Sequence, residues 1–320
     1  MKRDIAALDF EKPLLELQKS IEKLKDQANH KKGDQVKQIA ELELKLKQQK
    51  EVVFANLTPI QTVQIARHPN RPLLCDYIEQ MCSEFVELHG DRAFGDDRGL
   101  IGGFATIGDQ RVMLVGHNKG KNITENIERN FGQAMPEGYR KALRLMRLAE
   151  KCNIPIIALI DTQGAFPGLD AEERGQHEAI ARNLTEMARI KVPIICVVTG
   201  EGGSGGALGI GVGDVLMMLT NSVYAVISPE GCASILWRDS SFAPQAAAAL
   251  KLTALALVEQ GIIDEIIAEP LGGAQYNYTE TINNVKAAIL KNLKVLNLLT
   301  PEALVDKRFE KFSKIGKFAQ

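Results

Sequence analysis

The run Thr199-Gly200-Glu201-Gly202-Gly203-Ser204-Gly205-Gly206-Ala207 puts five glycines in seven positions, directly behind the aliphatic segment Ile194–Val198. An unbroken apolar run of this kind reads as a strand buried on both faces. The glycines after it admit a backbone geometry, or a close approach, that side chains would forbid. Such a strand calls for a sheet covered by helices on both sides, and the remaining pattern agrees. Ile101–Ile107 and Val112–Gly116 predict strands around the turn Gly108-Asp109. Ile154–Asp161 repeats the doubly buried pattern; Val215–Leu219, Val223–Ile227 and Ile262–Ile267 predict three more strands. Helical spacing appears in Pro136–Lys151, with Tyr139, Leu143, Met146 and Ala149 on its apolar face, and in Ala171–Lys191, with Ile180, Leu184, Met187 and Ala188. Ala243–Gln260 predicts a largely buried helix. Thr279–Leu299 predicts another, capped at Thr279, with Ile282, Val285, Ile289 and Leu296 inward; Thr300-Pro301 opens a last one. Strand, glycine-rich turn and helix in alternation define an α/β fold. Paired strands ahead of some helices fit a stack of strand–strand–helix turns as well as a doubly wound sheet.

The first 55 residues differ. Leu14, Leu17, Ile21, Leu24 and Ala28 recur at spacings of three and four, and Val36, Ile39, Leu46 and Val53 continue a weaker stripe. This predicts a helical hairpin with Gly33 in its turn. The composition bounds the partners. The 320 residues carry 39 Lys+Arg against 40 Asp+Glu, with a pI of about 6.6, so no general basicity argues for nucleic acid or an anionic membrane. The apolar runs are too short to span a bilayer, and Met1-Lys2-Arg3-Asp4 does not open a secretory signal. Five scattered cysteines without a CxxC pair fit reduced thiols, no zinc site and a cytoplasmic location.

Three motifs compete for the glycine run. Gly200, Gly202 and Gly205 match G-x-G-x-x-G, but the ribose-binding acid expected about 20 residues on is absent from Thr220–Tyr224. Gly202, Ser204 and Gly206 match the nucleophile elbow, yet none of the five histidines follows Ser204, so Ser204 reads as a small loop residue. Gly116–Asn122 lacks Walker spacing. The remaining reading is chemistry through the backbone. N–H groups at the start of a helix can be aimed at a developing oxyanion, against the bland alternative of close helix–strand packing. Asp161-Thr162-Gln163-Gly164-Ala165-Phe166-Pro167-Gly168 has the same character and can face the same pocket. Arg140, Arg144, Arg147 and Lys151 form one stripe near Lys119, Lys121 and Arg129. That stripe is either a solvated face, a site for phosphates such as those of coenzyme A, or a site for an acidic partner. His177 falls on an apolar helix face, which predicts a core histidine.

Gly116-His117-Asn118-Lys119-Gly120-Lys121, Phe131–Ala142, Asp161–Gly168 and Gly200–Gly213, in this order, resemble the α subunit of the bacterial and plastid acetyl-CoA carboxylase carboxyltransferase. The likeness also takes in Leu8–Pro13 and Thr300–Leu304. It implies a crotonase-like superhelix of ββα turns, with an N-terminal helical region (1–65), a core (66–270) and C-terminal helices (271–320). It implies carboxyl transfer from carboxybiotin to acetyl-CoA, giving malonyl-CoA for fatty acid synthesis. The implied partners are a zinc-bearing β subunit in an α2β2 assembly, a biotin carboxyl carrier protein and biotin carboxylase. The chain has no Met-Lys-Met attachment sequence, so biotin arrives on the carrier. On this likeness Gly205 and Gly206 are oxyanion donors, opposed by Gly164, Ala165 and Phe166. Gly202, Gly203, Ser204, Lys119, Lys121 and Arg144 are expected to bind substrate. A non-catalytic scaffold subunit and a stand-alone crotonase-type acyl-CoA enzyme are the alternatives.

Overall fold

A computed structural model describes residues 8–28 and 34–316. Eight strands form one sheet: β1 (Cys82–Glu87), β2 (Leu100–Ile107), β3 (Gln110–His117), β4 (Ile156–Thr162), β5 (Ile194–Gly203), β6 (Val215–Leu219), β7 (Val223–Ala225) and β8 (Glu265–Ile267). The order is β1-β2-β3-β4-β5-β6-β8, with β7 beside β5. The first two pairings are antiparallel and all later ones parallel. The helices among the described residues are α1 (Lys12–Ala28), α2 (Asp34–Ala55), α3 (Pro59–Ala66), α4 (Leu74–Met81), α5 (Ile123–Glu128), α6 (Pro136–Lys151) and α7 (Leu169–Glu173). They continue with α8 (Gln176–Met187), α9 (Ser204–Leu208), α10 (Pro229–Trp237), α11 (Ala243–Leu250), α12 (Ala254–Glu259), α13 (Tyr278–Leu296) and α14 (Pro301–Ser313).

The period of two along the central strands divides their side chains between two cores. Ile156, Ala158 and Ile160 of β4, with Ile194, Cys196 and Val198 of β5, pack beneath α6 and α8. Ile157, Leu159, Ile195 and Val197 face the other way, toward α4 and α13. Each fully buried Ile or Leu contributes roughly 1.5–3 kcal/mol, so these two strands are the strongest structural commitment in the chain. Strand β1 is the exception: none of its residues is buried and half are exposed, as befits a charged edge strand.

The predicted hairpin forms, with α1 against α2, Leu14 and Ile21 buried, and Lys25 paired to Glu43 at 2.5 Å. Gly33 lies outside the described residues. Several expectations need correction. Ala171–Lys191 is two helices, because Gly175 sits at φ 81 between α7 and α8. The restart turns His177 outward. Its side chain is 79% exposed and 3.8 Å from Glu172, so it is no core histidine. Ala243–Gln260 also breaks, at Lys251 (φ 50), and much of α11 stays exposed. Asn277, not Thr279, caps α13 by accepting the Glu280 N–H at 3.1 Å. The Thr300 cap of α14 is as expected. Arg308 fixes this last helix from inside, donating to Asp214 (2.9 Å) and to the carbonyls of Met187, Ile190 and Val192.

Candidate active site

The carboxyl end of β5 builds the site by changing neighbours. Ile195–Val198 pair with β6, whereas Glu201–Gly203 pair with β7. The ladder to β4 slips between Ile160 and Thr162, which sets Thr162 opposite Gly202. At this kink the backbone is satisfied by side chains. Arg71 donates to the Thr199 carbonyl through Nη2 (2.7 Å) and Nε (3.2 Å) and is itself paired with Glu269 at 2.8 Å, the two being 2% and 1% exposed. Asp161 Oδ1 accepts the Glu201 N–H at 2.9 Å and the Lys119 ammonium at 2.6 Å.

The glycines divide into two groups. A Cβ on Gly200 would lie 2.4 Å from Asp161 Oδ1, and one on Gly203 would strike the Gln163 carbonyl. On Gly206 it would lie 2.4 Å from the Gly164 carbonyl carbon and 2.5 Å from the Ala165 nitrogen. The two turns expected to face each other are therefore in backbone contact. Close packing dictates these glycines. Gly205 is different: a Cβ there would meet only Ile180, at 3.6 Å. Ser204 starts α9 at φ 47, a left-handed conformation unusual for a serine, and it is exposed.

The first N–H groups of an α-helix have no intrahelical acceptor. Gly205 and Gly206 occupy those positions in α9. In the opposing loop the Gly164 N–H goes to Thr162 Oγ1 (3.2 Å) and the Phe166 N–H to the Ala134 carbonyl (3.1 Å). The first is spent within the loop and the second on the segment before α6, and Ala165 keeps the unengaged N–H of the three.

A cleft of about 500 Å³ is lined by Gly202, Gly203, Ser204, Gln163, Glu201 and Arg67, together with Val223 and the segment Ala225–Glu230. A smaller cavity of about 210 Å³ shares Arg67, Gln163 and Glu201 and adds Lys119 and Lys121. Both lysines are neutralised, Lys119 by Asp161 and Lys121 by Asp76 at 2.8 Å. Arg144 is elsewhere. It lines a groove of about 520 Å³ with Arg92, Arg140, Arg147, Lys151 and Arg182, none of which borders the cleft. It donates to the carbonyls of Gly90 and His89.

Sequence reasoning missed Arg67, Asp161, Glu201 and His117 as parts of the site. Arg67 bridges Glu201 (2.6 Å) and Glu230 (2.7 Å) across the cleft. His117, at the end of β3, is fully buried, and neither ring nitrogen has a hydrogen-bond partner of normal geometry; the Gly206 backbone is nearby but not so aligned. Burial pushes its pKa down to about 4, so the ring is neutral at pH 7. At the N-terminal end of α6 burial raises Asp97 to about 6, against the N–H groups of Gly99 and Met135 that favour its ionised form. Among the described residues no cluster of His, Cys, Asp and Glu could hold a metal, and no helix is long and apolar enough to cross a membrane.

Residues 7–316 match the family model described as acetyl co-enzyme A carboxylase carboxyltransferase-like. An acetyl-coenzyme A carboxylase carboxyl transferase subunit alpha of Geobacter metallireducens is 54% identical over 316 residues, covering 98% of each chain. The protein of the same name from Prochlorococcus marinus strain MIT 9515 is 52% identical over 98% of this chain and 93% of its own. In fold, the chain resembles transcarboxylase 12S (TM-score 0.58, 19% identity), covering 71% of this chain but only 42% of that one. Fold and relatives together define a crotonase-fold carboxyltransferase. The chain belongs to the family of acetyl-CoA carboxylase carboxyl transferase α subunits.

Proposed function

We propose that this chain supplies the biotin-facing half of the site that converts acetyl-CoA to malonyl-CoA, through the backbone of α9. A biotin-bearing carrier protein, a zinc-bearing β subunit in an α2β2 assembly and a biotin carboxylase are its partners, and the cytoplasm is its location. The observation that carries the reading is the pair of unengaged first-turn N–H groups at Gly205 and Gly206, locked by the contact of Gly206 with Gly164–Ala165. Their chemistry fits a ureido oxygen, which accepts but does not donate. When bound, biotin supplies the carboxyl group and takes up negative charge at that oxygen. Gly205 and Gly206 then donate to it, and the free Ala165 N–H adds a donor from the opposing loop. Each such donor is worth roughly 2.7–4 kcal/mol where water is excluded. Preorganised donors suit this reaction better than a nucleophile, because the charge to be stabilised appears only as the bond breaks. Ser204 acts as a small wall residue, and Lys119 and Lys121, each paired with a carboxylate, line the adjoining cavity.

Gly205→Val, assembled with the β subunit and assayed with malonyl-CoA and free biotin, tests the reading. A fall of at least about 100-fold in carboxyl transfer at unchanged melting temperature is expected. Activity within about threefold of the parent would overturn the proposal.

A further inference from the structure

We infer that Asp161, through its ion pair with Lys119, is a positioning residue: it sets the kink in β5 that presents the α9 donors. The inference rests on the donor reading above.

The geometry runs from β4 to the turn. Asp161 stands where the β4–β5 register slips, one residue before Thr162, which pairs with Gly202. Its carboxylate lies over the backbone of Gly200 so closely that no other residue fits there. One oxygen, Oδ1, takes both the Glu201 N–H and the Lys119 ammonium. The Glu201 N–H belongs to the stretch of β5 that has left β6 for β7. Without Asp161 that amide would be buried with no acceptor, and the strand would gain by closing the slip and rejoining the flat ladder. Closing it would move Gly202–Gly206 with respect to the Gly164–Ala165 backbone that Gly206 touches. Lys119 is needed because Asp161 is not the only carboxylate here: Glu201 Oε2 is buried, lacks a hydrogen bond and lies 3.7 Å from the same ammonium. Lys119 and Asp161 are only 16% and 11% exposed, so water does not substitute for either. Arg71 braces the same kink from the Thr199 carbonyl, with Glu269 behind it.

The test compares Asp161→Asn, Lys119→Met and the double variant, each assembled with the β subunit. Asparagine keeps the shape and an acceptor oxygen for the Glu201 N–H but releases Lys119. In Asp161→Asn we expect kcat to fall about 10–100-fold, with KM for malonyl-CoA and for biotin within about threefold. Hydrogen exchange of the Glu201–Gly206 amides should accelerate while that of β4 stays slow. Lys119→Met leaves Asp161 and Glu201 without their shared cation, so its defect should be the largest. The double variant should recover at least about tenfold over Lys119→Met, a coupling that independent residues would not show. A lowered melting temperature with kcat and amide exchange unchanged would make the pair merely structural and overturn the inference. Additive effects in the double variant would do the same. Gly205→Val in the same assay separates the two ideas. If it is inactive while Asp161→Asn is normal, the donors stand and the positioning role falls; if it is active, the donor reading itself falls.

Discussion

The glycine turn of β5–α9 and the arginine stripe of α6 are each conspicuous as a local density of one residue type, and the fold treats them in opposite ways. In the turn, neighbouring backbone and side chains dictate residue after residue: Asp161 lies against Gly200, Gln163 against Gly203, and Gly164 and Ala165 against Gly206. On the stripe, each cation finds what lies nearest. Arg140 takes Asp91, Arg147 takes Glu186, and Arg144 takes two carbonyls, all with part of the group in water. Density of a residue type is thus no measure of constraint. Constraint follows from what a substituted atom would meet.

The comparison can be broken by substitution, and the largest effect belongs to the cation beneath the turn. Arg71→Met strands Glu269 as a buried charge and frees the Thr199 carbonyl; a loss of roughly 3–5 kcal/mol in urea unfolding is expected. Arg147→Ala removes a pair whose side chains are 43% and 31% exposed and should cost less than about 1 kcal/mol. Equal costs for these two would erase the distinction.

Gly206→Ala should cost roughly 3 kcal/mol, since its methyl group would collide with rigid backbone. Gly205→Ala should stay within about 1 kcal/mol of the parent, because its methyl group only touches Ile180. Matching melting temperatures for the two variants would contradict the assigned packing.

A pH experiment sharpens the same contrast. His117 has a depressed pKa in the folded chain, so the native state binds fewer protons than the unfolded one between about pH 6.5 and 4. Its contribution is therefore complete above pH 6.5 and is lost as the pH falls toward 4, by on the order of 3 kcal/mol at most. The stability difference between parent and His117→Gln should shift in that direction over this window. A difference independent of pH would show that the imidazole is not sealed beneath Gly206. Asp97 has the opposite sign: its pKa is raised, so its share of stability declines as the pH rises from about 4 to 6, and only a difference between variants isolates either group.

The smallest effect is expected at Arg144. Its groove shares no residue with the cleft, so Arg144→Ala should change KM for acetyl-CoA by less than about twofold. A tenfold rise would bring the stripe into the substrate site after all.

How much of this was legible beforehand follows from range. The strands β4 and β5 and the helix α6 are written in contiguous residues, and their periodicity carries them. The break at Gly175 was also visible in principle, since glycine permits the positive φ it adopts, but Lys251 gives no such sign at φ 50. Strand β1 went unseen because an edge strand needs no apolar alternation and this one follows Met81 without a turn. In the site, the glycine run announced itself, as did the second loop it touches. Which amides remain free could not be read, because Thr162 and Ala134 take two of the three in that loop. Arg67 meets Glu201 across 134 residues of chain, and Lys119 meets Asp161 across 42. Those meetings are made by strand order, which local patterns do not contain.

The Arg308 anchor makes the donor turn answerable to a remote helix. The guanidinium ties the end of α8, the entry to β5 and the start of β6 together. Because α14 carries that cation, loosening this helix would release the strand bearing the donor turn at the end opposite the turn, so the site depends on a helix that borders neither the cleft nor the adjoining cavity.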